Sequence, residues 1–167
     1  PVKSIILFAL PIMASSMLQY NYSLVDNIIV GRYVNEYALA AVGSVGSIGS
    51  FLVGTALGLT SGFSIPVAHA FGARDKNKIS HYAGNSIALA LCIGTIISVI
   101  AHLLSKPLLR LIGTPDEIFD LAASYINILY YGIPFQMLSN NFTAISRSVG
   151  ESKKPLYFFS ITVVINF

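Results

Sequence analysis

The sequence predicts an all-α integral membrane protein, a polytopic helical bundle, and three observations carry that reading. Only 17 of 167 residues are Lys, Arg, Asp or Glu, 10% of the chain where soluble domains carry about 25%. These charges cluster, leaving residues 4–25, 37–73, 79–105, 121–146 and 155–167 without any, 125 positions in all. Four of the five stretches exceed the roughly 18 residues that mark a spanning helix, and a mean hydropathy of +0.72 agrees. A soluble enzyme, a disulfide scaffold and a disordered tail are thereby excluded. The single cysteine, Cys92, lies inside an apolar run and is expected to serve packing.

Helix one is predicted over residues 3–30, with Pro11 inside it; proline removes the amide that would bond the Leu7 carbonyl, so a kink is expected there. Helix two is predicted over 37–71, too long for one upright span, so it should tilt, project from the bilayer or break. It holds Gly54, Gly58 and Gly62 at four-residue spacing, a pattern that in lipid favours close contact between helices and whose alternative is a flexible or cavity-lining segment. Helix three is predicted over 80–104. Thr114, Pro115 and Glu117 read as a capping box that opens helix four, predicted over 115–146 with an interruption at Gly132-Ile133-Pro134. Pro155 opens a fifth helix over 155–167. The chain begins without methionine and stops 13 residues into that run, where about 20 are needed to span, so it is expected to be a piece of a longer protein.

The loop charges predict orientation. Lys3, Arg74, Lys76, Lys78, Arg147, Lys153 and Lys154 fall on one side, against Arg32, Lys106 and Arg110 on the other, which places the N-terminus in the cytoplasm. The net charge of +3 is explained by this topology, and no nucleic-acid partner is expected.

Asp26 belongs to neither loop tally. An aspartate at the centre of a spanning helix costs about 2.5 to 3.5 kcal/mol on insertion scales, so it is kept for a cavity, a partner or an ion path. Residues 4–25 could also span alone and leave Asp26 at the wet interface. Ser15, Gln19, Tyr22 or Ser23, and Asp26 recur at helical spacing, forming a polar stripe expected to face a water-filled interior. Gln136, Asn140 and Thr143 form a second stripe on helix four, leading down to Arg147; interhelical hydrogen bonding and substrate contact are both open for it. His69, His81 and His102 fit no metal-binding spacing and are expected at the interfaces. No Walker-type loop or nucleophile elbow is present, so neither an enzyme nor an ATP-driven pump is expected of this chain.

The segments Leu24-Val25-Asp26, Val30-Gly31-Arg32, Ala38-Leu39-Ala40-Ala41-Val42-Gly43 and Gly72-Ala73-Arg74-Asp75 occur in that order. Gly113-Thr114-Pro115, Gly132-Ile133-Pro134-Phe135 and Arg147-Ser148-Val149-Gly150 follow, and together they resemble the first part of a multidrug and toxic compound extrusion (MATE) transporter over essentially the whole chain. The resemblance implies an inverted-V, twelve-helix transporter of two six-helix lobes in the plasma (inner) membrane. Residues 1–167 would then be an incomplete N-terminal lobe whose partners are the lipid bilayer and the remaining helices of the parent chain. It implies secondary active efflux of small organic cations in exchange for Na⁺ or H⁺, with no cofactor and no metal beyond Na⁺ at Asp26. By the same resemblance Asp26 couples the ion, Asn166 lies near it, Gln19 and Tyr22 fall on cavity positions, and Pro11 is the proline about which helix one bends. Two alternatives stay open at this stage: a flippase for lipid-linked oligosaccharide from the same superfamily, and a non-catalytic membrane subunit.

Overall fold

The computed structural model describes the backbone of residues 2–33 and 36–166, with side chains at all of these except 3–5, 7, 22, 23, 26, 27, 30, 31, 33 and 163–166. Five helices follow one another: α1 Val2–Tyr33, α2 Glu36–Gly72, α3 Lys76–Leu111, α4 Asp116–Ser148 and α5 Lys153–Asn166. Among the described residues there is no strand. By length and composition α2 and α3 are long and apolar enough to cross a membrane. Large apolar side chains cover the outer surface, with Phe51 73%, Leu103 73% and Leu111 81% exposed, as lipid-facing positions require.

The helices outrun the apolar stretches that announce them. α3 starts at Lys76 rather than 80 and ends at Leu111 rather than 104, because lysine and arginine follow a helix surface with their stems while their heads reach water. Asp75 caps its start by accepting from the Lys78 amide at 3.0 Å and pairing with the Lys78 ammonium at 3.3 Å. The Lys78 amide is the chief reason that the Asp75 carboxyl sits below the usual carboxylate range. α2 is a single unbroken helix of 37 residues, about 55 Å by helical rise, so of the three expectations for it a break is excluded.

The capping box expected at Thr114 does not form. α4 begins at Asp116 after Pro115, with no side-chain cap, and the Thr114 hydroxyl is buried without a partner. The cause is the tight exit from α3. Gly113 takes a φ of +72°, which glycine adopts without a Cβ penalty, and the Thr114 amide closes back onto the Leu109 carbonyl at 3.1 Å. Thr114 is thus held by the preceding helix, one residue too early to cap the next.

α4 is the centre of the bundle, packed along α2 and α3, while α1 lies chiefly against α5. The α3 face in this contact is Ser86, Ala90, Gly94, Ser98, Ala101, Ser105 and Leu109, spaced by three or four residues and small except at its end. Opposite lie the larger Ile126, Tyr130, Ile133, Met137 and Asn141 of α4. Small against large lets the two backbones approach closely, the geometry that holds helices together in lipid. A Cβ on Gly94 would stand 2.9 Å from the Pro134 Cα. By contrast, Gly54, Gly58 and Gly62 have nothing within 4 Å of a built Cβ, so these are not the packing glycines of the described lobe. The same face explains Cys92, which is exposed on α3 rather than packed, since the buried register at that level belongs to Ala90 and Gly94.

α4 runs unbroken through Gly132-Ile133-Pro134. Pro134 lacks the amide that would bond the Tyr130 carbonyl, and the Ser98 hydroxyl of α3 supplies the missing donor at 2.6 Å. A second cross-link is made where the Asn141 amide donates to the Ser86 hydroxyl at 3.1 Å, both side chains being buried. Ser98→Ala leaves the Tyr130 carbonyl without that donor and is expected to cost about 1 kcal/mol, within the range known for hydrogen bonds between membrane helices. Unfolding of the detergent-solubilised protein by sodium dodecyl sulfate measures it, and an unchanged midpoint would remove Ser98 from the account.

Candidate functional site

Because α1 leans on α5 and α4 on α2 and α3, a gap stays open between the two groups. It forms a cavity of about 840 Å³ walled by α1, α2, α4 and α5, with Gln19, Ser61, Ser64, Asn140 and Thr143 among its polar lining and Phe8, Ile65 and Phe159 among its apolar lining. An adjoining recess of about 620 Å³ shares Ser16, Gln19, Leu57, Asn140 and Phe159 with it and adds Tyr20 and Gln136. The stripes on helices one and four, twelve decades of sequence apart in numbering, therefore face the same space through Gln19 on one wall and Gln136, Asn140 and Thr143 on the other.

One member of the first stripe is misplaced by helical spacing alone. Ser15 is buried at 1% exposure and donates to the Pro11 carbonyl at 2.7 Å, so Ser16 takes its place in the cavity wall. Pro11 itself lies within the continuous α1. The positions of Tyr22, Ser23 and Asp26 fall on α1 and that of Asn166 closes α5, but their side chains lie outside the described residues.

A cavity-lining α2 was the alternative expectation for its glycines, but the residues that form the wall were not singled out. Leu57, Thr60, Ser61, Ser64, Ala68 and Gly72 all line the cavity. Their three- and four-residue spacing is the signal that could have found them. The hydroxyls of Thr60 and Ser64 are turned to the Ala56 and Ser61 carbonyls at 2.8 Å each, which lets polar side chains sit in an apolar helix. His69 lies at the end of this wall. His81 contacts Asn85 at 3.2 Å, and His102 rests on the Tyr131 ring with centroids 5.4 Å apart. Among the described residues no three His, Cys, Asp or Glu side chains gather to hold a metal.

The electrostatics of the described lining are one-sided. Arg147 is its only permanently charged residue, and its Nε is buried without a hydrogen-bond partner. The Nδ2 of Asn140 is likewise buried and unpartnered. In the flanking loops Asp75 is engaged by Lys78, and Glu151 lies 3.8 Å from the Lys154 ammonium.

The MatE family model matches residues 11–167. The chain is similar to the probable multidrug resistance protein YoeA of Bacillus subtilis (strain 168), at 33% identity over 164 residues, 98% of this chain and 35% of that protein. Among solved structures it is similar to MATE in the bent conformation, with a TM-score of 0.88 and 28% identity over 99% of this chain and 37% of that one. MATE in the straight conformation gives a TM-score of 0.87 at 28% identity, covering 98% and 36%. The chain thus spans about a third of the length of the relatives it matches.

Proposed function

The chain belongs to the MatE family, and from that membership we propose that the protein containing it is a secondary active multidrug efflux transporter. It exchanges small organic cations for Na⁺ or H⁺ across the plasma (inner) membrane. The observation that carries the proposal is the cavity between α1, α2, α4 and α5, whose lining combines Gln19, Asn140 and Thr143 with the rings of Phe8 and Phe159. A pocket of mixed polar and aromatic walls suits drug-sized organic ions, because rings supply area while a few amides and hydroxyls orient them. The relatives named as multidrug resistance proteins support the same reading.

Asp26 is the ion-coupling residue in this proposal, with Asn166 beside it. Asp26 lies seven residues beyond Gln19 on α1, about 10 Å further along the helix. Protonation or Na⁺ binding there removes a charge from a low-dielectric site and thereby changes which arrangement of α1 is favoured. Pro11 gives α1 a place to yield, since the Leu7 carbonyl lacks its usual partner. The excess of lysine and arginine around α2–α3 and α4–α5 supports a cytoplasmic N-terminus.

The full-length protein, reconstituted into proteoliposomes and given an imposed Na⁺ or proton gradient, should move tetraphenylphosphonium against its own gradient. Movement that only ever dissipates the substrate gradient would refute secondary active transport.

A further inference from the structure

A second opening shares no lining residue with the cavity described above or with its recess. It is a groove of about 500 Å³ between α2 and α3, with Phe51, Leu52 and Thr55 on one wall, Ile97, Ile100 and Leu104 on the other, and Tyr130 of α4 as its floor. Phe51, Ile100 and Leu104 are exposed, so the groove opens on the surface that faces lipid. Along α3 it runs from Ile97 to Leu108, about 16 Å by helical rise.

Tyr130 is 1% exposed, and its hydroxyl is buried with no hydrogen-bond partner. Its carbonyl is taken by Ser98, and the Thr55 hydroxyl is turned to the Phe51 carbonyl at 2.8 Å. No residue lining the groove is charged. Beside hydrocarbon there is no bulk water to satisfy a phenol, so the acceptor has to come with the occupant. Neutral walls favour a neutral acceptor, a carbonyl rather than an ion, because a charge would stay unpaired there.

Depth narrows the choice. The bonds from Ser98 to Tyr130 and from Asn141 to Ser86 make α3 and α4 antiparallel, and Ser98 lies eight residues, about 12 Å, before Lys106. Lys106 ends the uncharged stretch and keeps its ammonium in water. The Tyr130 side chain leans toward the N-terminus of its own helix, which is toward the level of Lys106. The phenol thus lies just beneath the headgroups of the leaflet that holds the α3–α4 loop, where the ester carbonyls of a glycerolipid join its chains. A further helix does not fit: one 10–12 Å across would fill about 1,500 Å³ over the same 16 Å, three times the groove.

We propose that this groove holds one acyl chain of a glycerophospholipid from that leaflet, with its ester carbonyl accepting from the Tyr130 hydroxyl and its tail lying along Phe51, Leu52, Ile97 and Ile100. The lipid site is separate from the cavity assigned to transport and does not depend on that assignment.

The test is native mass spectrometry of the full-length protein in detergent, titrated with phosphatidylcholine in its diester form and in its diether form, which lacks the carbonyls. Wild type should retain one diester lipid saturably and hold the diether about three- to tenfold more weakly, the worth of one neutral hydrogen bond. Tyr130→Phe should bind both forms alike, at the affinity of wild type for the diether. Leu104→Trp, which fills the groove from an exposed position, should lose the retained lipid. Equal affinity of wild type for the two forms overturns the proposal, as does a preference for the diester that survives in Tyr130→Phe. So does uptake that never saturates, which is a general lipid annulus, and so does the absence of any retained lipid, which is the result if another part of the full chain covers the groove. Unchanged retention in Leu104→Trp puts the lipid elsewhere and overturns it as well. The comparison of ester with ether uses wild type alone and stands even if a variant does not fold.

Discussion

Asp26→Asn in the full-length protein is expected to abolish gradient-driven efflux while leaving the protein in the membrane and able to bind substrate. Asparagine keeps the size and the hydrogen-bonding capacity of the side chain but neither titrates nor carries the charge that attracts Na⁺. It also removes the part of the aspartate's insertion cost that is due to charge, so the variant should assemble at least as well as wild type. What it loses is the link to the membrane energy. One charge moved through 100 mV is worth about 2.3 kcal/mol, about fiftyfold in a two-state ratio. Accumulation against the substrate gradient in proteoliposomes should therefore fall to none, with exchange of labelled for unlabelled substrate retained. Uphill transport within twofold of wild type would show that the coupling site lies elsewhere.

The second large effect is on folding. Gly94→Ala is expected to destabilise the lobe by about 1 to 3 kcal/mol, the usual range for overpacking. The added carbon would stand 2.9 Å from the Pro134 Cα and 3.3 Å from the Met137 sulfur. Methionine can swing aside, but a Cα moves only if α4 moves, and α4 is held on both sides by α2 and α3. The neighbouring bond from Ser98 to the Tyr130 carbonyl would be strained by the same displacement. Gly54→Ala is the control. Its new Cβ meets nothing within 4 Å, so it should be neutral or gain up to about 1 kcal/mol from helix propensity. Unfolding midpoints in dodecyl sulfate compare the two, and equal midpoints would contradict the packing described here.

Of these two residues only one was legible in the chain. Asp26 stands out because charge is scarce: an uncompensated carboxylate amid long uncharged runs is visible by counting. Gly94 does not stand out, being a single glycine among serines and alanines, whereas Gly54, Gly58 and Gly62 form a regular pattern that turns out to face open space in this lobe. The periodicity of small residues says that close approach is permitted along a face. Which permitted face is used depends on the partner helix, and α4 presents its bulky residues to α3.

The same division runs through the candidate site. Helical spacing put Gln19 on one polar stripe and Gln136, Asn140 and Thr143 on another; Gln19, Asn140 and Thr143 line the main cavity and Gln136 the recess that adjoins it. Spacing also chose Ser15, where a rotation of one residue gives Ser16, because a stripe read from sequence is about as wide as the angle between neighbours on a helix. The residues of the α2 wall were not singled out because serines and threonines that bond their own helix leave a run as apolar in composition as one facing lipid.

The sequence by itself determined that this chain spans a membrane as helices, where the loops fall, and that one aspartate belongs to neither loop tally. Those are one-dimensional quantities, since the bilayer requires backbone satisfaction within each helix and sorts residues by charge along the chain. Only the tertiary structure decided that α4 is central, that Gly94 and Ser98 are its contact points, and that Arg147 shares a cavity with Gln19. Those are matters of which faces meet, and between helices in lipid the choice rests on shape and a few hydrogen bonds that no single segment contains.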